Sequence, residues 1–323
     1  MTDSERHVPP LPRPLPRPGP NPEPGARPRP VRPAGPSRPG ANPARPHGSI
    51  TVFGATTCED TALVRSRLRG LRVPFEELDV DVDPAAAERL ARLTGGPLVT
   101  PTLVLAGGGS DPDVVASEPT LDRLGELLAD AGYDASPPSM RQLHGEVITR
   151  PIPMRALPTP GGGTFSIEQV RTRTQVALFL AHDASCLACF GFAKQLARQH
   201  GALEAADAIA VVVADGGAAG LASWRHELGP DAVLAADPDG AWKRAVAVAL
   251  AAEPGGVTEG TAEPAAASGV ALLALDRFAA PRAGSFAAEA GGLASPSDAI
   301  GWLDFVALDC PECSLELPWP DPT

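Results

Sequence analysis

The sequence predicts an α/β fold, built as two successive α/β domains behind a disordered tail. Three observations predict it. Residues 1–47 hold 16 prolines and 8 arginines against 3 acids, with almost nothing apolar to form a core. From residue 48 onward, short β-branched runs alternate with apolar residues at helical spacing, the pattern of strands joined by crossover helices. That alternation then breaks at a Pro/Gly-rich stretch, 134–163, and starts again.

The first domain is expected over 48–133. SITVFG (49–54) reads as a strand, and Leu63, Val64, Leu68 and Leu71 mark one face of a helix. VPFEELDV (73–80) is the next strand, and Asp83-Pro84 opens a second helix that runs through Leu93. LVTPTLVL (98–105) is apolar and β-branched, hence a buried strand with Pro101 at its entry. GGGSDP (107–112) is a turn, and Thr120 caps a last helix carrying Leu121, Leu124, Leu127 and Leu128. The linker 134–163 is expected to hold a short hairpin formed by GEVI and MRAL.

The second domain is expected over 164–323. VALFL (176–180), AIAVVVAD (208–215), AVLAAD (232–237) and GVALLALDRF (269–278) are its strands. Helices are expected after Cys186, around Trp224, from Ala241 to Leu250, and from Ser295-Pro296-Ser297-Asp298 to Cys310-Pro311. Residues 252–268 read as a loose Ala/Gly/Pro-rich insertion.

Charge and length exclude some functions. The chain has 323 residues and a net charge of -12, and its tail is net +5, leaving the body at -17. Such an acidic body lacks the basic face that nucleic acid requires. No apolar run approaches the roughly 20 residues needed to span a bilayer, and no apolar signal segment opens the chain. A cytoplasmic protein with no membrane and no nucleic-acid partner is the expectation. PPLPRPLPRPGP (9–20) has the P-x-x-P spacing that a reader of Pro-rich motifs would take, against the plainer reading of a solvated extension.

The five cysteines carry the chemistry: Cys58, Cys186, Cys189, Cys310 and Cys313. In a reducing compartment, closely spaced cysteines read as catalytic or metal-binding. Cys58 and Cys186 each follow a predicted strand and open a helix, where free backbone N–H groups and the helix dipole favour a thiolate. Cys186-Leu187-Ala188-Cys189 admits three readings: a redox dithiol, half of a metal site, or inert packing. Cys310-Pro311-Glu312-Cys313 admits an auxiliary dithiol that exchanges with the first pair, solvent-exposed thiols, or, with all four cysteines together, one zinc site. The 120 residues between the pairs far exceed the ~15–20 of a compact zinc ribbon. His182, four residues before Cys186, reads either as a turn histidine or as an aid to proton transfer. Trp224 and Trp302 read as core.

Two stretches resemble known families. ITVFGATTCEDT (50–61), the V-P-F…D-V-D stretch (73–81) and VTPTLVL (99–105) resemble a glutaredoxin over nearly the whole first domain. The resemblance implies a cis peptide bond at Pro101. It also implies that Thr100 and Pro101 offer backbone groups to a bound thiol or peptide beside Cys58. Thr61 stands where a dithiol glutaredoxin has its second cysteine, so the resemblance implies monothiol chemistry at Cys58. Glu59 and Asp60 flank the thiol, and two carboxylates there should raise its pKa. The lysine that glutaredoxins carry just before the motif is missing from residues 53–57, so the implied site for a glutathione-type or other low-molecular-weight thiol lacks it. C-E-D-T is also not the C-G-F-S of cluster-binding members.

The second stretch, 145–313, resembles the thioredoxin/peroxiredoxin-like (redoxin) superfamily in its strands, its C-L-A-C turn and its D-P-D-G element. The peroxidatic P-x-x-x-T-x-x-C pattern is absent from both cysteines, which counts against a peroxiredoxin-like peroxidase. Together the resemblances imply two thioredoxin-like three-layer α/β domains and a thiol–disulfide oxidoreductase. Its catalytic cysteines would be Cys186, Cys189 and Cys58, with Cys310 and Cys313 auxiliary. It would act on protein or small-molecule disulfides through a mixed disulfide at Cys186 resolved by Cys189, and would need no resident cofactor. The alternative of a different class is a non-enzymatic redox-sensing or interaction protein, its two C-x-x-C pairs holding a structural zinc.

Overall fold

The computed structural model describes residues 48–107, 112–133, 136–143, 151–251 and 269–308. The Pro/Arg-rich tail, GEVI, the 252–268 insertion, Cys310 and Cys313 lie outside the described residues.

The N-terminal module opens with β1 (Ile50–Gly54), α1 (Glu59–Gly70), β2 (Glu76–Asp79) and α2 (Pro84–Thr94). It closes with β3 (Thr102–Leu105), β4 (Val114–Ser117) and α3 (Leu121–Asp130). The sheet order is β2-β1-β3-β4, with β1 parallel to β2 and antiparallel to β3. One face buries Ile50, Val52 and Leu103 under Val64 and Leu68 of α1 and Leu124, Leu127 and Leu128 of α3. The other packs Phe53 and Val104 against Ala86 and Leu90 of α2. Asp83 caps α2, its carboxylate accepting from Ala85 N with Pro84 at the first helical position, and Thr120 caps α3 by accepting from Arg123 N.

The C-terminal module repeats this plan. Short β5 (Arg141–Gln142), β6 (Leu157–Pro158) and β7 (Thr164–Phe165) precede β8 (Gln175–Asp183), α4 (Leu187–Ala197), α5 (His200–Ala205) and β9 (Ala208–Asp215). Then come α6 (Ala222–Leu228), β10 (Ala232–Asp237), α7 (Ala241–Ala251), β11 (Val270–Leu275), β12 (Pro281–Ala287) and α8 (Pro296–Leu308). The sheet order is β10-β9-β8-β11-β12-β5. Its inner four strands, β9-β8-β11-β12, have the order and directions of β2-β1-β3-β4. Both modules are therefore three-layer α/β folds of the thioredoxin type. Along β8, Ala177, Phe179 and Ala181 face α4 and α8, while Val176, Leu178 and Leu180 face the layer that holds Trp242 of α7. Burial on both faces is why VALFL is an unbroken apolar run.

Part of the stretch expected to be linker joins the C-terminal module. Arg141 and Gln142 pair with β12, and Leu143 and Ile152 enter the core beside Leu157 and Phe165. MRAL contributes Leu157 to a hairpin with Phe165.

The two modules pack through α1 and α4. Leu63 of α1 sits in the same apolar cluster as Phe192 and Leu196 of α4. Gly191 permits the approach: a Cβ there would stand 2.6 Å from Glu59 O and 3.2 Å from Leu63 Cβ. Gly291 does the same at the far end of α1, where a Cβ would meet Arg67 N at 2.2 Å, and its own N–H donates to Ser66 Oγ at 3.0 Å. Gln195 Oε1 accepts from Leu121 N at 3.1 Å.

Candidate functional site

The dithiol is built by a strand end, a tight turn and a helix start. Asp183 closes β8, and its Oδ1 accepts from Ser185 N at 2.8 Å and from the Ser185 hydroxyl at 2.5 Å. Its carbonyl accepts from Cys186 N at 3.2 Å, which turns the chain into α4. Trp224 of α6 donates its indole N–H to Ala184 O at 3.1 Å and stacks on Phe190 of α4, with ring centroids 5.1 Å apart. Trp224 is buried, as expected, and also clamps the turn.

Cys186 caps α4, its Sγ accepting from Cys189 N at 3.4 Å. Cys186 is half-buried and Cys189 fully buried, and no disulfide joins them. His182 sits over both: its Nδ1 lies 3.7 Å from Cys186 Sγ and 3.7 Å from Cys189 Sγ, and its backbone N–H donates to Cys189 Sγ at 3.5 Å. The hydrogen bond from the Cys189 thiol, aided by His182 and by the Cys189 N–H, stabilises the Cys186 thiolate. It brings that pKa down to about 5 although burial pushes the other way. The same bond, with burial, pushes the Cys189 thiol up. The hydrogen bond to Cys186 raises His182, so imidazolium and thiolate support one another. The surroundings thus favour the thiolate at Cys186 and the protonated thiol at Cys189, a helical turn away.

Beneath the dithiol lies Lys243 of α7, buried, which donates to Ala181 O at 2.8 Å and to Asp215 Oδ2 at 3.1 Å. Sequence reasoning missed Lys243. Spacing gave no signal for it, since it lies 54 positions after Cys189; its being one of only two lysines was the one available hint.

Cys58 repeats the placement in the N-terminal module. It caps α1, its Sγ accepting from Thr61 N at 3.5 Å, and its thiol donates to Thr100 O at 3.5 Å. The Thr100–Pro101 bond is cis, as the resemblance implied, and the loop faces the thiol. Thr61 is fully buried in the position of a second cysteine, and its Oγ1 accepts from Ala55 N at 3.4 Å.

Glu59 and Asp60 do not stand free beside Cys58. Lys194 of α4 pairs with Glu59 and, at 3.4 Å, with Asp60, while Arg198 lies 3.9 Å from Asp60. Burial lowers the Lys194 pKa, but the hydrogen bond to Glu59 and the charges of both acids hold it above its usual value. A lysine of α4 thus stands beside the two acids that follow Cys58.

Among the described residues, His182, Cys186 and Cys189 are the one group of three or more His, Cys, Asp or Glu side chains that could hold a metal ion, their donor atoms lying within 4.8 Å of one another. No helix there is long and apolar enough to cross a membrane.

Residues 50–108 match the glutaredoxin family model, so a glutaredoxin domain occupies that stretch. No curated protein matches the sequence. Solved structures similar to the chain include a secreted Mycobacterium tuberculosis disulfide oxidoreductase homologous to E. coli DsbE. It is 13% identical, the match covering 46% of this chain and 94% of that one, with a TM-score of 0.33. Peroxidoxin BcpB from Mycobacterium tuberculosis is 14% identical over 49% of this chain and 97% of its own, with a TM-score of 0.39. A yeast mitochondrial 1-Cys peroxiredoxin is 11% identical over 54% and 83%, with a TM-score of 0.40.

Proposed function

We propose that this protein is a thiol–disulfide oxidoreductase that reduces protein or small-molecule disulfides through Cys186. The observation that carries the reading is a cluster of three groups: a thiol that caps a helix start, a buried thiol one turn later, and an imidazole 3.7 Å from both. In the first step the Cys186 thiolate attacks a substrate disulfide, the mixed disulfide forms, and the departing sulfur takes the proton from His182. In the second step Cys189 resolves the mixed disulfide, giving the Cys186–Cys189 disulfide and a second substrate thiol. The released substrate gains the two electrons that the dithiol loses.

Cys58 is a second, monothiol site, with Thr100 and Pro101 forming the surface against which a bound thiol or peptide lies. A glutathione-type or other low-molecular-weight thiol suits that chemistry. Cys310 and Cys313 are proposed as an auxiliary dithiol that exchanges with Cys186 and Cys189. A cytoplasmic setting, where thiols stay reduced, belongs to the same proposal.

The test is a disulfide-reductase assay on the full chain, with mass mapping after mild oxidation. A Cys186–Cys189 disulfide, with activity lost in Cys186→Ser, is the expected result. Full activity in Cys186→Ser overturns the reading. So does one zinc per chain that is lost in Cys310→Ser, because the thiols would then be closed around a structural metal.

A further inference from the structure

Resolution asks more of Cys189 than attack asks of Cys186. The Cys189 thiol is fully buried, and burial still opposes its ionisation once Cys186 is tied up in the mixed disulfide, yet it must ionise to break that bond. Lys243 lies where it can help. Its side chain is 3% exposed, while the carboxylate that accompanies it, Asp215, is 42% exposed. A buried ammonium is costly, and one half-exposed partner is slender compensation. The other bond that Lys243 makes is to the Ala181 carbonyl at 2.8 Å. That carbonyl belongs to the same peptide unit as the His182 N–H, and the His182 N–H donates to Cys189 Sγ at 3.5 Å. Ammonium, peptide and sulfur thus form one hydrogen-bonded chain. A cation on the carbonyl side polarises the amide and strengthens donation from its N–H side.

We propose that Lys243 is a positioning residue for the resolving step, stabilising the Cys189 thiolate through the Ala181–His182 peptide. The inference rests on the redox reading of Cys186 and Cys189 given above. In the mixed disulfide, His182 has already released its proton to the first leaving sulfur. Cys189 gives its proton to His182 Nδ1, and its thiolate attacks Cys186 Sγ. The Cys186–Cys189 bond forms, and the substrate sulfur leaves with the electron pair of the broken bond. The negative charge that appears on Cys189 is met by the polarised N–H, and behind it by Lys243.

The experiment is a single turnover of the pre-reduced full chain with Cys58, Cys310 and Cys313 replaced by serine. The substrate is a bis(nitrobenzoate) disulfide, whose released thiolate is coloured. The first release reports attack by Cys186 and the second reports resolution by Cys189. In Lys243→Met the second phase is expected to slow by about tenfold or more, the loss of a hydrogen bond to a charged group, while the first phase holds within about twofold. Intact mass should then show the Cys186 adduct accumulating. An unchanged first phase also shows that the site is folded. If Lys243→Met does not fold, Lys243→Gln decides on the same two rates, since it keeps a donor of similar reach without the charge. Equal second phases in wild type and variant overturn the role of Lys243. A chain with Lys243 intact that releases no second thiolate overturns instead the redox reading on which it rests.

Discussion

At the scale of single residues, the site separates two chemically identical side chains. Cys186 and Cys189 lie one helical turn apart, but one caps the helix and the other is buried inside it. Capping gives Cys186 the Cys189 N–H, and the hydrogen bond to Cys186, with burial, holds the proton on Cys189. A reactivity profile follows, because only the thiolate is alkylated. The rate of Cys186 alkylation should climb through a midpoint of about 5 and stay flat from pH 6 to 8, where an ordinary thiol would still be rising. Cys189→Ala removes the largest stabilising contact and should move that midpoint up the most; His182→Ala should move it up by less. A wild-type midpoint near pH 8 would rule out this arrangement. The C-x-x-C was legible in the sequence. The weight of His182 was not, since a histidine four residues upstream reaches the sulfurs only if β8 ends at Asp183 and the chain doubles back through Ser185.

At the scale of elements, the helices that start at Cys58 and Cys186 were readable because strand, cysteine and apolar helical face follow one another locally. The strand β12 was not foreseen: PRAGSFA opens with proline, contains glycine and has no β-branched residue. Its extended form comes from pairing with β11, a partner already fixed in the sheet. Gly191 also carries no local signal. It is a mid-helix glycine, unfavourable for α4 taken alone, and it is explained by the backbone of α1 beside it. Gly191→Ala should therefore destabilise the chain, by about 1–3 kcal/mol, despite the better helix propensity of alanine. Urea denaturation measures the sign, and a stabilised variant would show that α1 and α4 do not approach this closely.

At the scale of the whole molecule, the two modules share a core. Leu63 and Leu121 are buried in the cluster that contains Phe179 and Phe192 of the C-terminal module. Residues 48–133 made alone would expose both leucines, a loss of about 3–6 kcal/mol, which is large beside the stability of a domain of that size. The expected outcome is a poorly cooperative thermal transition by circular dichroism; a sharp one equal to that of the full chain would contradict a shared core. Lys194 belongs to the same scale. It lies on the helix that Cys186 caps and pairs with the acids next to Cys58, so the helix that starts at one thiol reaches the acids beside the other.

The sequence by itself determined the α/β class, most of the helices and strands, the cysteine at each helix start and the single cysteine of the first module. These depend on local periodicity, capping and residue identity, which the chain carries wherever it folds. Only the tertiary structure decided that His182 converges on both sulfurs, that Lys243 lies beneath them, that Glu59 and Asp60 are paired with Lys194, and that part of the apparent linker completes a sheet. Each of these joins residues through space, so the physical cause is the packing of α4 against α1 and of α7 beneath β8, which no local pattern encodes.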